Sequence, residues 1–217
     1  MSLQAADWQS LWLTLQLALV STLLLLLICT PLAWWLARRK GPGQGWIEAL
    51  LALPLVLPPT VLGFYLLVSF SPGGWLGSLM QMLNLPSLAF SFSGLVVGSV
   101  VYSLPFVLQP MQQAFSALDR DVLDSASSLG VPPLARFFRV ALPLSLPGYV
   151  TGAALGFAHT LGEFGVVLMI GGNIPGETQV ASIRIYDHVS ALEYGAAHQL
   201  SLILVVLSFL LLLCIYR

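Results

Sequence analysis

From residue 49 to residue 118 the chain runs for 70 residues without a charged side chain. No soluble domain can be built around such a run, because its outer faces would have to meet water with nothing charged on them. Three further uncharged runs cover residues 10–37, 140–162 and 194–216. Charged residues make up 8% of the chain and hydrophobic ones 58%, with a mean hydropathy of +0.91. That composition excludes a disordered chain, and a net charge of −1 excludes a basic nucleic-acid surface. An integral membrane protein remains.

A helix needs about 20 apolar residues to cross the hydrocarbon of a bilayer. Barrel strands would alternate with period two over short segments, whereas these runs are continuous, so the spans are helices. The longest gap holds two spans, split by the turn-forming Ser71-Pro72-Gly73-Gly74 and Asn84-Leu85-Pro86-Ser87. The sequence therefore predicts an all-α membrane protein forming one transmembrane domain over residues 1–217. Its five helices fall at about 10–37, 47–70, 92–116, 143–170 and 195–216, with a cytoplasmic loop at 117–142. The first apolar run exceeds the 7–15 residues of a signal-peptide core and has no basic segment before it, so it reads as a span.

The basic residues set the expected orientation. With the N-terminus periplasmic, Arg38, Arg39, Lys40, Arg120, Arg136, Arg139 and Arg217 are cytoplasmic and only Arg184 is outside. Trp8, Trp12, Trp34, Trp35, Trp46 and Trp75 all fall at predicted span ends, where indole favours the headgroup region. Cys29 and Cys214 read as apolar packing residues.

Catalytic constellations are missing from the sequence. Lys40 is the only lysine and no P-loop surrounds it; His159, His188 and His198 lack zinc-ligand spacing; there is no Gly-x-Ser-x-Gly elbow. The chain is not expected to be an enzyme or to bind a cofactor or metal, and any energy source must sit on another chain. A secondary transporter or channel would show internal repeats and paired intramembrane charges, and neither is visible.

The predicted cytoplasmic loop is the one sizeable polar segment. Asp119 or Asp121 can cap a short helix that Gly130 ends, and Pro132 or Pro133 can open a second. On that second helix Leu134, Phe137, Phe138 and Ala141 are expected on one side, Arg136 and Arg139 on the other. Asp124-Ser125-Ala126, then Gly130, then Val140-x-Leu142-Pro143 resembles the EAA loop of ABC-importer membrane subunits, with Asp for Glu, Ser for Ala and Val for Ile. Leu53-Pro54-Leu55-Val56-Leu57-Pro58-Pro59, Leu142-Pro143-Leu144-Ser145-Leu146-Pro147-Gly148 and Leu161-Gly162-Glu163-Phe164-Gly165 narrow the resemblance to the molybdate/sulfate branch. His159 departs from that branch, which has arginine there.

The resemblance implies a type I ABC-importer permease fold and a homodimer. It also implies a periplasmic oxyanion-binding protein and a separate ATPase dimer that holds ATP and Mg. The cargo it implies is molybdate or tungstate, with a sulfate/thiosulfate permease as the alternative. Coupling to the ATPase would fall to Asp124, Ser125, Ala126, Leu129, Gly130, Leu142 and Pro143. Within the spans, Glu163 is expected to face the bundle interior, one helical turn from His159. Thr60, Ser103, Gln109 and Thr160 join these two as polar candidates for the pathway or its gate. The repeat Gly148, Gly152, Gly156 is read as a helix-packing stripe.

Overall fold

A computed structural model describes residues 3–39 and 41–215, and only the backbone at 120, 214 and 215. Lys40 and Arg217, both used above for orientation, lie outside the described residues, as do the side chains of Arg120 and Cys214. The described residues form helices joined by turns. Helix α1 (Ala5–Arg38) begins with a reciprocal cap in which the Gln4 backbone N–H donates to Asp7 at 2.8 Å. At 34 residues it is about 51 Å long, more than the hydrocarbon requires.

The predicted helix 47–70 is divided. α2 (Gln44–Ala52) leads into a 3₁₀ turn (Leu53–Leu55), and α3 (Pro59–Phe70) restarts after it. The chain bends by 104° there. Pro54, Pro58 and Pro59 remove the backbone donors that would carry the helix through. α4 (Trp75–Met82) follows as a short helix. α5 (Phe92–Ser116) is capped by Ser91, whose Oγ accepts from Gly94 N–H at 3.1 Å.

The loop after α5 contains α6 (Arg120–Ser128), α7 (Pro133–Arg136), a wide π-helical turn (Phe137–Ala141) and α8 (Leu142–Leu144). After a 69° bend at Ser145 the chain enters α9 (Leu146–Leu161). The predicted helix 143–170 is also broken: α10 (Gly165–Gly171) is separate from α9. At the break Phe164 adopts φ −129°, and the Glu163 carbonyl, freed from the helix ladder, accepts a 2.6 Å bond from the Ser182 hydroxyl. α11 (Ala181–Ser190) and α12 (Tyr194–Ile215) complete the fold. Among the described residues three helices are long and apolar enough to cross a membrane, or up to five spans if each bent pair counts as one.

α1, α5 and α9 form the central bundle, with α3 and α10 packed beside α5. Lipid tails offer no hydrophobic drive for helix association, so close contact through small residues has to supply it. The glycine stripe of α9 does this against α5. A Cβ at position 148 would collide with that of Ala114 and stand 2.8 Å from the Pro110 carbonyl oxygen. One at position 152 would stand 3.0 Å from the Val107 carbonyl, and one at 156 would collide with Val107 Cγ2. Two large apolar cores result, and a small third one joins Leu11, Ala181 and Leu200 where α12 meets α1 and α11. Toward the N-terminal face Leu13, Leu17, Phe70, Leu95, Val166 and Ile170 pack together; toward the loop face Leu25, Cys29, Leu36, Val107, Met111 and Phe115 do. α12 stands apart, with 11% of its most apolar stretch buried against 44% for α1 and 50% for α5, so most of its surface faces lipid or another chain.

Candidate functional site

A polar seam lies where the two apolar cores meet. α5 and α9 run antiparallel, so the serine pair Ser99 and Ser103 meets the α9 end in reverse order. Ser99 Oγ donates to Glu163 Oε2 at 2.9 Å. One turn along, Ser103 Oγ bonds His159 Nδ1 at 2.8 Å and Thr160 Oγ1 at 3.1 Å. Ser99, Ser103, Thr160 and Glu163 are buried. The His159 ring stacks on Phe106 with centroids 3.9 Å apart and tilts against Tyr102. The helical face expected to carry both is interrupted: α9 ends at Leu161, so Glu163 stands in the break beyond it, and His159 and Glu163 bond different serines and not each other. Glu163 Oε1 is buried without a hydrogen-bond partner among the described residues.

His159 and Glu163 line a cavity of about 620 Å³ with Pro59, Thr60, Tyr102 and Met169. Pro59 opens α3 and Glu163 lies in the break between α9 and α10, so both backbone breaks border the same space. The structure thus brings together Thr60, His159 and Glu163, with Ser103 and Thr160 immediately behind His159. Gln109 lies elsewhere: it is exposed on a separate cleft of about 290 Å³ with Glu48, Gln112 and Gln113. Glu48 Oε1 there accepts from Gln44 at 2.9 Å and from Gln112 at 2.8 Å, pinning α2 to α5.

Sequence reading missed Ser99, Ser182, Glu48 and Gln112. Ser99 was findable: the 99/103 spacing mirrors 159/163 in two antiparallel helices. Glu48 and Gln112 are 64 residues apart, and no local pattern joins them.

The loop face holds the segment with EAA-like spacing. Asp119 Oδ1 accepts from Asp121 N–H at 3.0 Å and caps α6. α6 ends in a Schellman motif, with Val131 N–H donating to the Ala126 carbonyl and Gly130 N–H to that of Ser127. Gly130 sits at φ +76°, where a side chain would be strained. Asp124, Ser125 and Leu129 point outward, and Leu129 is 84% exposed. Leu123 anchors the opposite face of α6 in the loop-side core. Leu142 is half-buried and Pro143 exposed where the loop joins α9. The expected apolar face of the second short helix is split: Phe137 and Ala141 pack inward, Phe137 against Trp34 and Phe115, whereas Leu134 and Phe138 are exposed. The π turn widens the helix and rotates the register on which that face relied.

On the N-terminal face α11 is tied to α1. Buried Asp7 Oδ1 accepts from Arg184 Nε and from His188 Nε2, both at 2.8 Å, and His188 Nδ1 meets Glu193 Oε2 at 2.8 Å. Burial alone would lower the pKa of His188, but the Asp7 and Glu193 carboxylates on its two nitrogens outweigh it and raise the pKa above the ordinary value. Asn173 and Gln179 both donate to Asp187 beside this cluster. Among the described residues no group of His, Cys, Asp and Glu could hold a metal ion.

The arrangement joins a broken-helix polar cavity at mid-bundle to an exposed short helix on one face. The chain is 55% identical to the molybdenum transport system permease protein ModB of Azotobacter vinelandii over 216 residues, covering 100% of this chain and 96% of that one. It is 36% identical to ModB of Escherichia coli strain K12, covering 91% of this chain and 87% of the relative. A probable sulfate transport system permease protein cysT of Nephroselmis olivacea is 33% identical, covering 93% and 71%. In fold, the chain matches a subunit of a bacterial alginate ABC transporter at a TM-score of 0.79 and 16% identity, covering 98% of this chain and 77% of that one. It also matches the inward-facing MetNI methionine ABC transporter at 0.73 and 18% identity, covering 96% and 92%. These likenesses give the all-helical fold of type I ABC-importer membrane subunits. With residues 29–217 matching the model of the binding-protein-dependent transport system inner membrane component, the chain belongs to that family of inner-membrane ABC permease subunits, which do not themselves hydrolyse ATP.

Proposed function

We propose that this chain passes molybdate, or the near-isosteric tungstate, across the inner membrane as one half of a homodimeric ABC-importer permease. The single observation that carries the reading is 55% identity over the whole chain to a molybdenum permease. In this reading five spans put the two termini on opposite sides, and the excess of arginine toward the loop face supports a periplasmic N-terminus. A periplasmic oxyanion-binding protein delivers cargo to the N-terminal face, and lipid surrounds the outer helices. The ATPase dimer holds ATP and Mg; this chain binds no cofactor or metal.

Coupling falls to Asp124, Ser125, Ala126, Leu129 and Gly130, with Leu142 and Pro143 at the joint with α9. The outward Leu129 and the anchored Leu123 give α6 one face for a partner and one for the bundle. ATP-driven closure of the ATPases would shift the permease between outward-facing and inward-facing states through differential contacts at this helix. Thr60, Ser103, His159, Thr160 and Glu163 border the pathway, and Gln109 its loop-side mouth. Hydroxyls and backbone N–H groups can hold an oxyanion without a full positive charge nearby.

Reconstitution with the ATPase and binding protein tests the whole reading. Uptake of molybdate into proteoliposomes should require ATP, and uptake driven by a proton gradient alone would refute it. The sulfate reading is favoured by the 33% identity to a sulfate permease; it predicts sulfate uptake that excess molybdate does not suppress.

A further inference from the structure

Between the end of α1, the end of α5 and α6 lies an open cleft of about 980 Å³ that the transport reading touches only through Asp124. Arg38, Arg39 and Arg136 line it, together with Asp119 and Asp124. Arg38 is held over the Trp34 ring at 3.7 Å and Arg39 over Trp35 at 4.7 Å, which fixes guanidinium groups beside the aromatic belt. Among the described residues the guanidinium groups of Arg39 and Arg136 have no hydrogen bond or ion pair. Among the described side chains that line it, three arginines against two aspartates leave the cleft with one excess positive charge.

From the cleft an exposed apolar stripe climbs α1 at helical spacing: Trp35, Pro31, Ile28 and Leu24 follow Arg39 at steps of three or four. A free phosphate would use the guanidinium groups but neither the stripe nor the aspartates, which would repel it. A phospholipid uses all three: phosphate on Arg39 and Arg136, headgroup hydroxyls donating to Asp119 or Asp124, and an acyl chain along Leu24, Ile28 and Trp35.

We propose that this cleft is a binding site for phosphatidylglycerol, a headgroup that matches its net charge and its pairing of cationic and acceptor groups. The bound lipid bridges the end of α1 to α6 and so stiffens the joint through which α6 moves the bundle. The proposal rests on the membrane orientation given above, in which this face meets the inner leaflet.

The test uses the permease purified with its ATPase and exchanged into mixed phosphatidylglycerol–phosphatidylcholine micelles, with bound lipid read by native mass spectrometry. The wild type should retain phosphatidylglycerol over phosphatidylcholine, which lacks headgroup hydroxyls. The double variant Arg39→Gln/Arg136→Gln should bind it about 30-fold more weakly, which corresponds to about 2 kcal/mol for two surface arginines. Arg39→Lys/Arg136→Lys keeps both charges and should retain most of the lipid; it also serves as the reading if the glutamine variant fails to assemble. Equal retention in wild type and glutamine variant overturns the proposal. So does displacement of the lipid by millimolar inorganic phosphate, which would make this a free-anion site. Labelling of Gly41→Cys from the outside would overturn the orientation and leave the retention result to stand separately.

Discussion

Replacing Ser99 by alanine isolates the bond that joins α5 to the break after α9. Ser99 is fully buried and Glu163 is 5% exposed. The Ser99 hydroxyl is the one hydrogen bond to the Glu163 carboxyl among the described residues, because Oε1 already lacks a partner. Ser99→Ala therefore strands a whole buried carboxyl, at a cost of about 1–3 kcal/mol. A chain of this size shifts its melting temperature by about 2–4 °C per kcal/mol, so a loss of about 2 kcal/mol appears as about 4–8 °C. Glu163→Met should cost less, since the serine left behind can bond a carbonyl of its own helix. The double variant Ser99→Ala/Glu163→Met removes both partners and should recover most of the Ser99→Ala loss. The assay is thermal unfolding in detergent, followed by size-exclusion fluorescence, with ATP-dependent uptake measured in parallel. Recovery of stability without recovery of uptake would separate a transport role for the carboxyl from a packing role. A double variant no more stable than Ser99→Ala would refute the reasoning, and so would a Ser99→Ala protein that melts with the wild type.

Gly148→Ala should destabilise by about 1–3 kcal/mol through overpacking, and adding Ala114→Gly should recover part of that, because the Pro110 carbonyl still crowds the site; additive melting shifts would count against a shared seam. Asp7→Ala leaves Arg184 and His188 facing each other without their carboxylate and should cost about 3–5 kcal/mol, read by the same unfolding assay. His188 has its pKa raised by Asp7 and Glu193, so its contribution is complete below the ordinary value of 6.5 and is lost as pH climbs through the raised one. As pH rises above the ordinary value of 6.5, the melting temperature should fall more steeply in the wild type than in His188→Gln, and parallel curves would remove His188 from the account. Leu129→Ser should leave the melting temperature unchanged, since Leu129 is 84% exposed, yet weaken capture of the ATPase by about tenfold or more if a partner buries that side chain; undiminished co-purification would move the contact elsewhere.

The helices were legible because each apolar run is long enough to need one, and the ends of α6 because Asp119 and Gly130 carry cap chemistry that acts within a few residues. The two breaks were not legible as breaks. Pro54, Pro58 and Pro59 permit either a kinked helix or a turn, and α10 against α3 decides between them: a Cβ on Gly165 would stand 2.7 Å from Pro59 Cβ, so a continuous bulky helix has no room. The split at Glu163 leaves even less local trace, since the carbonyl it frees is satisfied by Ser182, nineteen residues on. Candidate site residues divided along the same line. His159 and Glu163 were found by their spacing, but their actual partners on α5 depend on the antiparallel register, which a reading of single helices does not contain.

That register has a mechanical consequence. On α1, Ser21 and Thr22 fall between Leu17, which packs in one apolar core with Leu95, and Leu25, which packs in the other with Val107. Both hydroxyls are buried without hydrogen-bond partners among the described residues. α1 therefore adds two polar groups to the layer that Ser99, Ser103, His159, Thr160 and Glu163 form, and this layer separates the two cores. Each core resists deformation because close-packed side chains forfeit contact energy as soon as they part. A polar layer with spare donors and acceptors can exchange one hydrogen bond for another at little net cost. Relative motion should therefore concentrate at this layer and at the two backbone breaks that border its cavity, with α9 moving as a rod between Ser145 and Glu163. The glycine seam holds that rod against α5 on the loop side of the layer, so displacement of α6 reaches the cavity through α9 with little loss in the packed core between them. Removing a spare polar group from the layer without adding volume, for instance by Ser21→Ala, should raise the melting temperature while slowing ATP-dependent uptake. A variant that gains stability and keeps wild-type uptake would show that the moving surface lies somewhere other than between the two cores.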